Sequence, residues 1–168
     1  NYESLALRHH TSKLSSFEDL ESMETFGFRG EALSALAALG VLSITTRQAS
    51  QDVATTLEFS RGGELLKRAP AARDVGTTVT VAKIFSPLPV RYQEFKRNIK
   101  KEFSRLHDVL AGYSLVARGV RLTVTNVAKK GGRQSVIKTL GNGSLKDTVS
   151  SVFGIRQLNT LQELHAHS

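Results

Sequence analysis

The run Gly27-Phe28-Arg29-Gly30-Glu31-Ala32-Leu33 sets two glycines and an arginine immediately before an Ala- and Leu-rich stretch, residues 31–39. The first amides of a helix have no partner within it and carry the positive end of its dipole, so they attract an anion. Glycines beside them let the backbone approach a phosphate closely, because no Cβ intervenes. Read as chemistry, the run is a phosphate-holding loop at a helix start. The same shape also serves as a plain turn, and shape by itself leaves both readings open.

Other chemistries find less to work with. No G-x-x-x-x-G-K-[ST] occurs, so a P-loop is not expected. The chain has no Cys, which excludes disulfides and thiolate metal sites. His9, His10, His165 and His167 form no His/acid set at metal spacing, so no zinc site is expected. A second feature is basic: Arg91, Lys96, Arg97, Lys100, Lys101 and Arg105 stand against Glu94 and Glu102. These cations suit either a solvated helix face or the backbone of a nucleic acid, with Lys129, Lys130 and Arg133 as a second contact. No aromatic stacking platform is expected among them, which favours duplex backbone contact over base reading. Net charge is +8, a field that draws polyanions without choosing among them.

The elements that must position these residues read as follows. Residues 4–10 have the apolar spacing of a short helix, and 17–23 form another, with Ser16 and Asp19 at its start. Residues 31–39 are helical, with Gly40 as the stop. From Val41 the pattern is β: strands over 41–46, 54–59, 64–68 and 77–84, with Arg61-Gly62-Gly63 as a hairpin turn. Pro87 and Pro89 precede a long helix over 92–117, whose apolar face is Phe95, Ile99, Phe103, Leu106, Leu110 and Tyr113. Residues 120–127 and 135–140 pair as strands. Gly141-Asn142-Gly143 is a linker candidate, and Ser144 with Asp147 opens a last helix that ends at Gly154. Helices interleaved with a mostly antiparallel sheet indicate an α/β two-layer sandwich.

The letters around the loop carry more than its shape. Residues 27–33, preceded by His10-Thr11-Ser12-Lys13 and Glu24-Thr25-Phe26, resemble the mismatch-repair ATPases of the MutL family, above all its PMS-type branch. Gly76-Thr77-Thr78-Val79 follows in the order that family shows, as does Leu88-Pro89-Val90-Arg91 with Phe95-Lys96-Arg97-Asn98. The resemblance runs over nearly the whole chain, weakening after Asn142 and strengthening at Ser151-Val152-Phe153-Gly154.

That resemblance implies the GHKL (Bergerat) ATPase fold, a mixed, mostly antiparallel sheet with helices on one face. Residues 1–142 would be the C-terminal part of the ATPase domain, and 143–168 the beginning of a transducer domain. ATP and Mg²⁺ are the implied cofactors. Thr11, Ser12 and Lys13 match the lid segment, residues 27–33 (Gly27, Phe28, Arg29, Gly30, Glu31, Ala32 and Leu33) the phosphate loop, and Gly76 with Thr77 the motif near the adenine. The basic residues Arg91, Lys96, Arg97, Lys100, Lys101 and Arg105 would contact DNA. Implied partners are an MLH-type MutL subunit in a heterodimer, a MutS-type mismatch sensor and DNA, in the nucleus and away from membranes.

Two short motifs imitate the family's catalytic ones out of order. Glu94 and Asn98 spell E-x-x-x-N, and Asp74-Val75-Gly76 copies part of D-x-G-x-G, yet both follow the glycine loop where the family places them before it. The chain opens without Met and reads as a piece of a longer protein, with the catalytic Glu, the Mg²⁺-binding Asn and the adenine-reading Asp expected upstream of Asn1. The 168 residues are therefore expected not to hydrolyse ATP unaided, since phosphoryl transfer needs a metal and a positioned nucleophile. Two alternatives stand beside this reading: another ATPase of the same fold, and a basic nucleic-acid-binding module with no nucleotide role.

Overall fold

The β-branched run that begins at Val41 forms β1 (Val41–Arg47), the pivot of a four-stranded sheet in a computed structural model describing residues 1–14, 16, 18–21, 25–128 and 131–162. β2 (Ala54–Phe59), β3 (Leu65–Ala71) and β4 (Gly76–Ala82) complete it in the order β3-β2-β1-β4. Every pairing among the described residues is antiparallel. The chain divides into two compact units, Asn1–Lys96 and Arg97–Ser168. Of the features expected from sequence, Lys129, Lys130, His165, His167 and parts of the helix over 17–23 lie outside the described residues; a single 3₁₀ turn, Glu18–Leu20, represents that helix. At its start Ser16 N donates to Asp19 Oδ2 at 2.9 Å, one of the two bonds of a capping box.

In the first unit the glycine loop feeds α1 (Ala32–Leu39), which packs on one face of the sheet. The register sets Ile44 between Leu57 and Val79, and Leu42 opposite Val81, so these alternate residues share that face. Ala6, Ala37, Leu42, Ile44, Leu57 and Phe59 form the buried core, with Tyr2, Leu33, Leu65 and Val81 packed against it. Val79 sits on the same face yet is 46% exposed, because α1 covers β1 and leaves β4 open. No strand pairs with the outer edge of β4 among the described residues.

Gly40 stops α1 as expected, and does so without a left-handed conformation. Its backbone is extended (φ −161°), and a Cβ there would stand 2.7 Å from Ala82 O, so the end of β4 demands glycine. The helix expected over 4–10 is instead a run of turns. Buried Ala6 ties this segment to the β2–β3 hairpin, where a Cβ on Gly63 would come within 2.7 Å of the Ala6 carbonyl carbon. Tyr2 lies under Arg68, 5.0 Å from guanidinium carbon to ring centre, and accepts a hydrogen bond from Gln51. That bond, with smaller help from Thr55 and Arg68, holds the Tyr2 phenol below its usual pKa against the effect of burial.

The long helix expected over 92–117 is two helices. α2 (Pro89–Arg97) opens on proline, whose missing N–H costs nothing in a first turn. Asn98 then leaves helical geometry (φ −101°, ψ 14°), and α3 (Ile99–Val116) begins after it. Asparagine favours helix ends because its amide competes for backbone partners. In the second unit α3 does not bury the expected apolar face: Ile99, Phe103, Leu106 and Tyr113 are exposed, and the buried residues are Ala111 and Ser114. Those small side chains face α4 (Leu145–Phe153) and β6 (Arg133–Lys138), which approach closely where no bulk intervenes. β6 pairs with β5 (Thr123–Val127) as a hairpin.

Residues 141–143, the linker candidate, are knitted into this unit. Gly143 N donates to Arg118 O at 3.1 Å, and a Cβ on Gly141 would meet the Val120 carbonyl carbon at 2.8 Å. Ser144 caps α4 as expected, its Oγ accepting from Asp147 N at 3.1 Å, and Gly154 ends it at φ +89° before a short α5 (Ile155–Leu158). No helix among the described residues is long and apolar enough to cross a membrane.

Candidate phosphate loop and basic helices

Gly30 is the geometric centre of the loop. It adopts φ +64°, a left-handed conformation that side chains other than glycine's disfavour. A Cβ added there would stand 2.7 and 2.8 Å from C and N of His10. The segment leading to Thr11 therefore lies directly against the loop, and His9 N donates to Gly30 O at 3.2 Å. His9 Nδ1 also lies 3.6 Å from Glu31 Oε1. The Glu31 side chain thus turns toward the segment of residues 9–13.

At the helix start, Glu31 occupies the N-cap position without a side-chain cap bond. Ser34 Oγ donates to Glu31 O at 2.9 Å, and Ala35 N donates to the same oxygen at 2.9 Å. The amides of Ala32, Leu33 and Ser34 precede the first intrahelical donor and face the loop. Leu33 anchors the turn by packing its side chain on the core, while Gly27, Ala32 and Glu31 are exposed. Gly27 has open space around it, and Thr25 Oγ1 donates to its carbonyl at 3.1 Å. The Arg29 guanidinium lies 5.3 Å from the centre of the Phe28 ring, so it stacks beside the loop on the exposed side.

The remaining candidates are placed as follows. Thr11 Oγ1 accepts from Lys13 N at 3.1 Å, a local turn that leaves Ser12 and Lys13 exposed. Gly76 and Thr77 open β4, where Thr77 Oγ1 shares a 2.8 Å hydrogen bond with Thr46 Oγ1. A helix and a strand joined through one residue must fold back to share a core, so the start of α1 and the Thr46–Thr77 end of the sheet point the same way. Asp74 lies in the β3–β4 connection, Glu94 lies in α2, and Asn98 is the residue at which α2 and α3 part.

All six basic candidates are exposed: Arg91, Lys96 and Arg97 on α2, Lys100, Lys101 and Arg105 on α3. Arg105 is paired with Glu102 at 2.9 Å. Lys96 Nζ lies 5.6 Å from the Tyr92 ring centre, which corrects the expectation that no aromatic side chain stands among these charges. His9 and Thr46 are the partners that sequence reasoning missed. Thr46 was accessible only through the β1–β4 register, and His9 only through the fold of the lid segment onto Gly30. Among the described residues no group of three or more His, Asp or Glu could hold a metal ion.

Comparison with known proteins sets this geometry in a lineage. No family model matches the chain. It is 51% identical to the DNA mismatch repair protein PMS1 of Arabidopsis thaliana over 96% of the chain and 18% of that protein. It is 48% identical to the human mismatch repair endonuclease PMS2 over 96% of the chain and 19% of that protein. The chain thus spans about a fifth of the length of these curated relatives. Among solved structures, the N-terminal domain of a DNA repair protein superimposes with a TM-score of 0.81 at 36% identity, covering 98% of this chain and 46% of that one. The Aquifex aeolicus MutL ATPase domain complexed with ADP gives 0.60 at 25% identity, covering 82% and 52%. Fold and sequence agree: over nearly its whole length the chain is homologous to the PMS-type mismatch-repair proteins, and it belongs to the MutL family.

Proposed function

We propose that these residues form the phosphate end of the ATP site in a PMS-type MutL protein, which binds and hydrolyses ATP as a clamp in DNA mismatch repair. The observation that carries this reading is the uncapped start of α1 behind Gly30, with the lid segment already bonded to that glycine. The residues fit a nucleotide: no Cβ obstructs Gly30, and three helix amides point at the position of an anion. Thr11, Ser12 and Lys13 supply hydroxyls and an ammonium at the lid, and Gly76 with Thr77 faces the adenine end. Mg²⁺ would offset the charge of the triphosphate, held by residues other than those described.

In this reading nucleotide pulls residues 9–13 and 27–33 into one ordered layer through the His9–Gly30 contact, an order–disorder switch. The ordering draws two N-terminal regions together, the partner being an MLH-type subunit and the upstream signal a MutS-type sensor, in the nucleus. DNA backbone contact falls to the cations of α2 and α3. Residues 1–142 belong to the ATPase domain and 143–168 begin the transducer domain. The open strip over Val79 is where the rest of the ATPase domain covers the sheet.

The test uses the full-length parent. Gly30→Ala or Glu31→Lys is expected to abolish nucleotide binding and repair activity while DNA binding at low salt persists. Intact repair in both variants would leave a basic nucleic-acid-binding module as the function.

A further inference from the structure

Arg47 ends β1 directly opposite Gly76, the first residue of β4. Paired residues point to one face of a sheet, and chain neighbours to opposite faces. Thr46 and Thr77 therefore share the face that α1 covers, while Arg47 and Gly76 share the other. A Cβ on Gly76 would stand 3.4 and 3.5 Å from Nη1 and Nη2 of Arg73, so the Arg73 guanidinium lies over Gly76 on that other face. Arg47 is fixed beside it, donating from Nε to Gln51 O at 2.9 Å and from Nη1 to Arg73 O at 3.2 Å.

Arg47 and Arg73 line a shallow cavity of about 700 Å³, open to solvent, together with Asp52, Pro70, Ala71 and Asp74. Arg73 Nη1 is buried and has no hydrogen-bond partner among the described residues. Arginine stays protonated in proteins, so this donor remains charged and lacks an acceptor. The carboxylates of the cavity do not supply one: neither Asp52 nor Asp74 takes part in the ion pairs found among the described residues. A buried charged donor without an acceptor is a state that a ligand oxygen relieves.

We propose that this cavity, on the sheet face away from the nucleotide loop, is a carboxylate-binding site in which Arg73 and Arg47 receive one oxyanion. The planar guanidinium fork matches a carboxylate in two parallel hydrogen bonds. The charges of the two arginines and two aspartates cancel, so a monoanion enters with less repulsion than a phosphate dianion. The carboxylate comes either from a free small acid or from an acidic side chain on a peptide, which present the same group. The site does not depend on the nucleotide reading: none of the residues lining it is a nucleotide candidate, although Gly76 lies beneath Arg73.

The test is an NMR titration of the full-length parent, isotope-labelled in arginine, at constant ionic strength, following the arginine Nε–Hε signals of Arg47 and Arg73 against acetate, inorganic phosphate and a blocked Gly-Glu-Gly peptide. Saturable shifts with acetate are expected, tighter than with phosphate, and Arg73→Gln weakens them by about tenfold or more. Asp74→Asn, at an exposed position, tightens acetate by about threefold, and this variant decides if Arg73→Gln fails to fold. Tighter binding of the peptide than of acetate assigns the carboxylate to a side chain, and equal binding assigns it to a small acid. Linear shifts, phosphate binding tighter than acetate, or an Asp74→Asn variant with unchanged affinity would overturn the proposal.

Discussion

Gly30 shows how much one residue can be asked to do. Its left-handed backbone and its contact with His10 leave no room for a Cβ, and the same absence opens the helix amides behind it. Ser144 is a comparable case in the second unit, because its Oγ accepts from Asp147 N and holds the first turn of α4. Ser144→Ala is expected to lower stability by about 1 kcal/mol, read as a lower midpoint in urea unfolding; an unchanged midpoint would mean that water replaces the cap. Both residues were legible in the sequence, because a cap and a glycine loop are local demands that residue type alone expresses. Arg73 and Thr46 were not. Their roles arise from strands brought together by register, and no local pattern announces which residue will stand opposite Gly76 or Thr77.

At the scale of elements, the strands follow the sequence closely and the helices less so. β1 to β4 lie where β-branched runs and the Gly62-Gly63 turn put them. The long basic helix breaks at Asn98 because its apolar spacing continues through a residue whose side chain disfavours helix interiors. Its apolar face was also misread: periodicity marks the stripe of large residues, whereas close packing against α4 and β6 selects Ala111 and Ser114. The break divides the candidate DNA contacts between two helices and leaves Lys100 and Lys101 together in the first turn of α3. Arg105, already paired with Glu102, contributes less. In the parent, Lys100→Glu with Lys101→Glu is expected to weaken duplex binding and to reduce the salt slope by about two. Unchanged affinity at low salt would return these lysines to the solvent.

The chain as a whole is basic and cysteine-free, and it spans 18% and 19% of the length of two relatives that it matches at about half identity. Its first unit carries the loop, the lid segment and the sheet, and its second carries most of the basic surface. The sheet offers an open strip over β4, with Val79 uncovered and no strand beyond among the described residues. The central claim is that nucleotide orders the lid segment against the glycine loop. Amide hydrogen exchange on the full-length parent, with and without a non-hydrolysable ATP analogue, reads this directly. The account predicts added protection at residues 9–13 and 27–33 and no change in β2 and β3. Equal exchange in both segments at saturating analogue would contradict it.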